Sequence, residues 1–213
     1  MKSAERSRSP QFIIVDLDGT LYRAGPLARR LVWRLRASLP LLLYFQWIRK
    51  RAWVGRDFGS YSAYQEALLE ALSRGVSSRK PSLQEWLATD FWEGFLTALE
   101  MVPRNELLLH QLFLWKHQGS RLACVSDYKE IDKRLQRLRV DPELFELRLS
   151  AEEMGALKPA CRIGEILKDR FPFVPSDAVW IGDRPETDGA LAGILKIPYL
   201  DVKAFRPENR ADG

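Results

Sequence analysis

The stretch FIIVDLDGT, residues 12–20, ends an apolar run with two aspartates, Asp16 and Asp18. Its β-branched and aromatic residues predict a buried strand, and a charged group at the end of such a strand is costly to bury unless something pairs with it. An Asp-Gly pair such as Asp18-Gly19 is also common in turns, so this stretch alone fits an acidic turn equally well. The rest of the chain has to decide whether the two acids hold a ligand.

The bulk composition is that of a globular protein. Its 213 residues are 46% hydrophobic, which is enough for one core, or for one core and a smaller module. The two cysteines, Cys124 and Cys161, follow no metal-ligand spacing, so we expect a reducing, cytoplasmic location without a disulfide framework. We also expect no secretory signal, and the most apolar stretch, residues 39–48, is shorter than the roughly 20 residues that span a bilayer.

Strand-like and helix-like patterns alternate in the second half of the chain. Residues 26 to 100 have almost entirely helical patterns, whereas later strand-like runs are separated by helices of ordinary length. Such alternation is typical of βα units and predicts an α/β fold with a parallel sheet. The strand-like runs lie at 11–16, 121–126, 145–150, 177–182 and 198–202.

Polar and charged residues follow four of these strand-like runs. Because the strands of a parallel sheet end at one edge, residues from several strand ends can meet there in one cleft. Several carboxylates in one cleft repel one another, and a divalent cation with oxygen ligands, such as Mg²⁺, relieves that repulsion. A lysine and a hydroxyl beside them suit a phosphoryl group. The candidate residues are Asp16, Asp18, Ser126, Asp127, Lys158, Asp183 and Asp188.

Several of these candidates also have a simpler interpretation. Ser126 is a residue type that caps helices, here the helix near Ile131, and a lysine before a proline usually lies in a solvated loop. Asp127 either caps the following helix or biases the choice of substrate. The occurrence of all these residues, in this order and at the ends of four successive strands, favours a functional site.

The stretches DLDGT, VSD, LKP and IGDRPETD resemble the four motifs of the haloacid dehalogenase-like (HAD) hydrolases. The resemblance implies a Rossmann-like core of parallel strands, formed by residues 11–24 and 101–205. It further implies that residues 25–100 form an all-helical cap domain, inserted directly after the first motif. Residues 1–10 and 206–213 are then flexible tails.

The resemblance also implies a two-step phosphoryl transfer. Asp16 is then the nucleophile and forms an aspartyl-phosphate, which divides one difficult displacement into two easier ones. Asp18 protonates the leaving oxygen and later activates water. An acid at the position of Asp18 is typical of the phosphatases and phosphomutases of this family, whereas its dehalogenases lack that acid.

The same resemblance implies a Mg²⁺ site and a phosphoryl site. The cation is held by Asp16, the backbone carbonyl of Asp18, and Asp183, with Asp188 in direct or indirect support. The residues assigned to the phosphoryl group are Ser126, Asp127 and Lys158.

The predicted cap is strongly basic. Residues 23–80 contain 12 lysines and arginines against 3 acids, which is attractive to phosphorylated substrates. The segment LPLLLYFQWIRKRAW predicts a cap core at residues 41–48, with Arg49, Lys50 and Arg51 facing solvent. Its alternative is a helix at a membrane surface, which suits an amphiphilic substrate such as a lipid phosphate. We expect no nucleic-acid partner, because no binding motif accompanies the basic residues.

The sequence therefore predicts a Mg²⁺-dependent phosphatase that hydrolyses a small phosphomonoester. Two alternatives stay open. A phosphomutase of the same family would use the same residues but transfer the phosphoryl group to another hydroxyl. A non-catalytic binding or membrane-associated protein would use the basic cap as its contact surface.

Overall fold

The computed structural model describes residues 9–76 and 80–206, and its strands form a five-stranded sheet. The strands pair in the order β3-β2-β1-β4-β5, so β1 lies at the centre. All four pairings are parallel, as the alternating sequence pattern predicts. The strands are β1 (Phe12–Asp16), β2 (Arg121–Ser126), β3 (Leu147–Ser150), β4 (Ala178–Gly182) and β5 (Tyr199–Asp201).

Helices separate the strands along the chain. Six of the helices in the described part of the chain, α1 to α6, lie between β1 and β2, and the later ones alternate with the strands. Within residues 9–76 and 80–206, no helix combines the length and apolarity that a membrane crossing requires. The helices are α1 (Ala24–Arg34), α2 (Leu39–Trp47), α3 (Tyr61–Val76), α4 (Lys80–Trp86), α5 (Trp92–Leu99), α6 (Glu106–His117), α7 (Ile131–Arg137), α8 (Cys161–Arg170) and α9 (Ala190–Leu195).

The central strand β1 is buried on both faces. Ile13 and Val15 belong to a core shared with α6 and with α1 to α5. Ile14 points to the opposite face, where Trp180 and Phe171 are also completely buried. Because successive side chains of a strand alternate between faces, a parallel strand covered on both sides consists almost entirely of apolar residues. This explains why the apolar run of β1 has no polar position before Asp16.

The helical segment that contains α1 to α5 covers the edge of the sheet at which the strands end. It has its own aromatic core, in which the rings of Phe45 and Phe91 lie 4.6 Å apart between centroids. It contacts the loop after β3, where the backbone N–H of Phe58 donates to the carbonyl oxygen of Gly155 at 2.7 Å. This arrangement confirms the predicted fold class of a Rossmann-like sheet with an inserted helical cap, and the boundaries at 25 and 100 stay predictions.

The described ends of the two predicted tails contact the core. Residues 1–8 and 207–213 lie outside the part of the chain that the structure describes. Ser9 donates to the side chain of Gln118 at 2.8 Å. Arg206 Nη2 donates to the carbonyl oxygen of Gly19 at 2.8 Å, so the start of the C-terminal tail is bonded to the turn after β1.

Helix α2, the most apolar helix of the cap, has both a buried and an exposed apolar face. Leu42 and Phe45 are buried, as expected for a cap core, but Leu43 and Trp47 are more than half exposed. The expectation that the following arginines face solvent is wrong for Arg49, which is only 6% exposed. Its guanidinium forms an ion pair with the buried carboxylate of Glu152 in the core, and that pairing compensates for its burial.

Candidate active site

The first motif forms a tight turn at the carboxyl end of β1. Asp16 is the last residue of the strand and is 3% exposed. Gly19 has a φ of +91°, and a Cβ at this position would collide with the carboxylate of Asp183. Two independent reasons therefore require glycine at position 19. The positive φ disfavours any residue with a side chain, and the nearby carboxylate of Asp183 leaves no room for one.

Lys158 joins two carboxylates at this edge of the sheet. Its Nζ lies 2.5 Å from Asp16 Oδ1 and 2.7 Å from Asp188 Oδ1, and all three side chains are buried. Burial alone would lower the pKa of Lys158, but the charges of Asp16 and Asp188 outweigh it and raise that pKa well above its usual value. The lysine therefore stays positively charged beside Asp16. The other carboxylate oxygen of Asp16, Oδ2, accepts a hydrogen bond from the hydroxyl of Thr20 at 2.9 Å.

One lysine does not balance the carboxylates around it. Ligand oxygens of Asp16, Asp183 and Asp188 all lie within 4.8 Å of one another, so three carboxylates and one ammonium leave a formal charge of −3 + 1 = −2. Burial, with Asp188 adding to it, raises the pKa of Asp183 to about 6. Asp183 Oδ1 is buried and has no hydrogen-bond partner among residues 9–76 and 80–206. A small divalent cation fits this donor set, because it prefers oxygen ligands and offsets both surplus charges.

Asp18 lies outside this carboxylate cluster and has partners of its own. Its Oδ1 accepts from Tyr22 at 2.6 Å and forms an ion pair with Arg134, and its Oδ2 accepts from Ser126 at 2.7 Å. Burial raises the pKa of Asp18, but Arg134 and the hydrogen bonds from Tyr22 and Ser126 outweigh it, so the pKa is lowered. The carboxylate of Asp18 is thus held ionised, and the hydroxyl of Ser126, assigned to the phosphoryl group in the sequence, is bonded to Asp18.

Arg134 is a site residue that the sequence motifs do not reveal. It lies on α7, is completely buried, and its Nη1 also donates to Ser126 Oγ at 2.9 Å. In the sequence it is one of several basic residues in a helical pattern, which is typical of a solvated face. Only the fold, which brings it to a partner 116 positions away, distinguishes it from the others.

Asp127 does not cap the following helix, so that interpretation is wrong. Helix α7 has Glu130 at its N-cap and no side-chain capping bond. Instead, Asp127 Oδ1 accepts a hydrogen bond from the backbone N–H of Lys158 at 2.8 Å. The second motif thereby holds the loop that carries the lysine of the third motif.

The side chains of the four motifs surround a common cavity of about 260 Å³ beneath the cap. Asp16, Asp18 and Lys158 line it together with residues of α1 and α2. Asp127, Asp183 and Asp188 also line it. Ser126 is the predicted site residue that is not among those lining the cavity. It contacts the site through the hydrogen bond that its hydroxyl donates to the Asp18 carboxylate.

Comparison with known proteins identifies a phosphatase relative. No protein-family model matches the chain. Over 164 residues the chain is 28% identical to the ribulose-1,5-bisphosphate 5-phosphatase of Halopiger xanaduensis. The match covers 75% of this chain and 66% of that protein, which is just under two thirds of its length.

Similar solved structures share the fold over nearly the whole chain. The 2-haloacid dehalogenase of Pseudomonas syringae pv. Tomato matches with a TM-score of 0.61 and 21% identity, over 95% of this chain and 90% of that one. A HAD-hydrolase of Bacillus subtilis, described as bound to magnesium, matches with a TM-score of 0.64 and 16% identity, over 90% and 88%. A predicted phosphoglycolate phosphatase of Haemophilus somnus matches with a TM-score of 0.61 and 17% identity, over 95% and 93%. The chain therefore has the fold of these solved structures, and its four sequence motifs resemble those of the haloacid dehalogenase-like hydrolases.

Proposed function

We propose that this protein is a Mg²⁺-dependent phosphatase that hydrolyses a phosphomonoester through a phosphorylated Asp16. The observation that carries the proposal is the contact of Asp16 with Lys158, beside Asp183 and Asp188, at the base of a cavity. A nucleophilic carboxylate next to a fixed positive charge suits attack on a dianionic phosphate, which an isolated carboxylate would repel. The phosphatase name of the Halopiger relative supports the same reaction class.

In the first step, a carboxylate oxygen of Asp16 forms a bond to phosphorus, and the bond from phosphorus to the ester oxygen breaks. Lys158 and Thr20 hold the Asp16 carboxylate, so one orientation is fixed before substrate binds. Lys158 also offsets the negative charge that gathers around the phosphorus. Asp18, which is ionised in the free protein, takes up a proton from solvent when the negatively charged phosphate binds beside it. It then delivers this proton to the departing ester oxygen, so that an alcohol leaves.

In the second step, water attacks the phosphorus of the aspartyl-phosphate and frees Asp16. Asp18 accepts the proton of that water, and inorganic phosphate leaves the cavity. The ionised Asp18, with Arg134, Tyr22 and Ser126 around it, has the proton-acceptor form that this step needs.

The divalent cation is assigned to the carboxylate cluster. Asp16, Asp183 and Asp188 would hold it, with the backbone carbonyl of Asp18 as a further ligand. When bound, Mg²⁺ supplies positive charge that draws a phosphate oxygen into the site and offsets the developing negative charge. The partnerless Asp183 Oδ1 supports this assignment, because a buried carboxylate oxygen without a hydrogen bond is costly unless a ligand contacts it.

Release of inorganic phosphate from p-nitrophenyl phosphate tests the proposal. We expect release that requires Mg²⁺ and stops on addition of EDTA. Asp16→Asn should lower kcat by at least about 10³-fold, because the nucleophile is lost. The matched control is Asp169→Asn, an exposed aspartate on α8, which should retain full activity. Equal release by wild type and Asp16→Asn would contradict the nucleophile assignment.

A substrate panel separates hydrolysis from transfer to another hydroxyl. It should include small phosphomonoesters of differing polarity, together with the sugar bisphosphate named for the Halopiger relative. A phosphatase releases inorganic phosphate in proportion to the alcohol formed. A phosphomutase would instead give an isomer of the substrate with little free phosphate, and that result would replace the present proposal.

A further inference from the structure

The catalytic cavity has two chemically different ends. The carboxylates and Lys158 form one end, at the edge of the sheet. The opposite walls come from the cap, where Leu27 and Leu31 of α1 and Leu42 of α2 line the cavity with fully or almost fully buried side chains. The leaving group of a phosphate ester bound to Asp16 therefore extends toward a hydrocarbon wall.

Three of the four neutral polar side chains that line this cavity, those of Tyr22, Gln46 and Tyr128, are already hydrogen-bonded within the protein. The fourth, Thr187, lies next to Asp188 at the carboxylate end, and its hydroxyl has no partner among the described residues. Tyr22 donates its hydroxyl to Asp18 at 2.6 Å. The amide of Gln46 and the hydroxyl of Tyr128 bond to each other at 3.2 Å. A sugar hydroxyl moved here from water would lose hydrogen bonds and find these groups occupied, whereas a hydrocarbon loses nothing. The pairing pattern thus disfavours a polyhydroxylated leaving group.

The apolar wall continues to the protein surface. Val32 of α1 and Leu43 of α2 both line the cavity and are 40% and 57% exposed. One turn further along α2, the exposed ring of Trp47 stacks on Tyr44 with 5.8 Å between centroids. A chain too long for a cavity of about 260 Å³ can therefore leave it along the apolar side chains of α1 and α2.

We propose that the substrate is a phosphate monoester of a hydrocarbon alcohol. Its phosphate contacts Lys158 and the metal cluster, its first carbons lie against Leu31 and Leu42, and the rest of the chain passes Leu43. This assignment rests on the proposed phosphatase function and adds the class of alcohol that is released. Hydrolysis then yields the alcohol and inorganic phosphate, with the proton of the alcohol supplied by Asp18.

A chain-length series measures this preference directly. Phosphate release is followed with propyl, hexyl and decyl phosphate, and with ribose 5-phosphate as the polar comparison. We expect kcat/KM to rise about tenfold or more from propyl to hexyl phosphate, since each methylene that leaves water adds to binding. Hexyl phosphate should also exceed ribose 5-phosphate. Equal values along the series, or a preference for the sugar phosphate, would overturn the proposal while leaving phosphatase activity in place.

Leu43→Gln tests the proposed exit along α2. The side chain is more than half exposed, so the substitution is compatible with folding. It should raise KM for decyl phosphate at least fivefold more than KM for propyl phosphate, because only the longer chain reaches this position. Leu107→Gln on α6, at a leucine that is 53% exposed and is not among the residues that line the cavity, is the matched control and should change neither. Equal effects of Leu43→Gln on both substrates would contradict the exit path.

Binding of alkylphosphonates separates a failure of this proposal from a failure of the phosphatase proposal. Their carbon–phosphorus bond is not hydrolysed, so calorimetry with wild-type protein and Mg²⁺ reports affinity alone. We expect hexylphosphonate to bind about tenfold or more tightly than propylphosphonate. Chain-length-dependent binding without hydrolysis of any ester would support the ligand class and contradict the phosphatase. Binding without chain-length dependence would overturn the ligand class whatever the activity.

Discussion

At the scale of single residues, two aspartates that line the same cavity have opposite pKa shifts. Asp18 has a lowered pKa because Arg134 and two hydroxyl groups outweigh its burial. Asp183 has a pKa raised to about 6 by burial and by Asp188. The neighbours of each carboxylate, and not burial alone, therefore decide the direction in which its pKa shifts, and such a separation of pKa values is typical of catalytic sites.

Replacement of Asp18 should destabilise the protein. We expect Asp18→Asn to lower the free energy of unfolding by about 3 kcal/mol at pH 7, because it leaves the buried guanidinium of Arg134 without a counterion. The pKa of Asp18 is lowered by folding, so its contribution is present above the ordinary pKa near 4 and is lost as pH falls below it. Urea denaturation at pH 7 and at pH 3 measures both effects. An unchanged midpoint at pH 7 would contradict them.

Substitution of Asp127 tests whether activity depends on the hydrogen bond that the backbone N–H of Lys158 donates to the Asp127 carboxylate. We expect Asp127→Ala to lower kcat/KM by about 10- to 100-fold, since the Lys158 backbone N–H loses its partner and a small displacement of Lys158 is costly to the reaction. Asp127→Asn keeps an acceptor oxygen and should restore most of the activity. Steady-state kinetics on p-nitrophenyl phosphate decides this. Equal losses in both variants would mean that the charge of Asp127, and not its hydrogen bond, matters.

At the scale of elements, the π-helical turn Ile48–Ala52 fastens the cap to the core. Arg49 in this turn pairs with Glu152 at 2.5 Å and donates to the carbonyl oxygen of Asp127 at 2.7 Å. Its guanidinium also lies over the ring of Tyr128, 4.1 Å from the centroid. One cap residue thus contacts the loops after β2 and β3, and both of these loops contribute side chains to the lining of the cavity.

A double-mutant cycle measures the strength of this connection. Arg49→Met should lower the free energy of unfolding by about 3–5 kcal/mol, because Glu152 is left buried without its partner. Addition of Glu152→Gln should recover part of that loss, with a coupling of about 1–3 kcal/mol. Denaturation of the wild type, both single variants and the double variant gives the coupling. Additive losses would show that the two side chains contribute independently.

The parts of the fold that the sequence predicts are those with a local signal. Strand β1 follows from its apolar run, and the parallel sheet follows from alternating patterns. The roles of Arg49 and Arg134 have no local signal, because their carboxylate partners lie 103 and 116 positions away. A buried arginine and a solvated one look alike within a helical pattern. The motif residues meet because each follows a strand, whereas these arginines meet their partners only through tertiary packing.

At the scale of the whole molecule, stability should depend on whether the carboxylate cluster contains a metal. Folding raises the pKa of Asp183 to about 6, so the folded state binds its proton more tightly than the unfolded chain does. The resulting stabilisation is present at low pH and is lost as pH rises from about 4 through 6. At neutral pH in EDTA, the three carboxylates of the cluster repel one another with only Lys158 to offset them.

Thermal unfolding with and without Mg²⁺ tests this account. At pH 7 and a free Mg²⁺ concentration 100 times Kd, Tm should rise by roughly 5–10 °C, since binding to the folded state alone adds about 2.7 kcal/mol. The rise should be smaller at pH 5, because a proton on Asp183 competes with the cation. Asp183→Asn should raise Tm in EDTA at pH 7 and abolish most of the Mg²⁺ effect, because the repulsion and the ligand are removed together. A Tm at pH 7 that is the same in EDTA and in Mg²⁺ would contradict a metal site at this cluster.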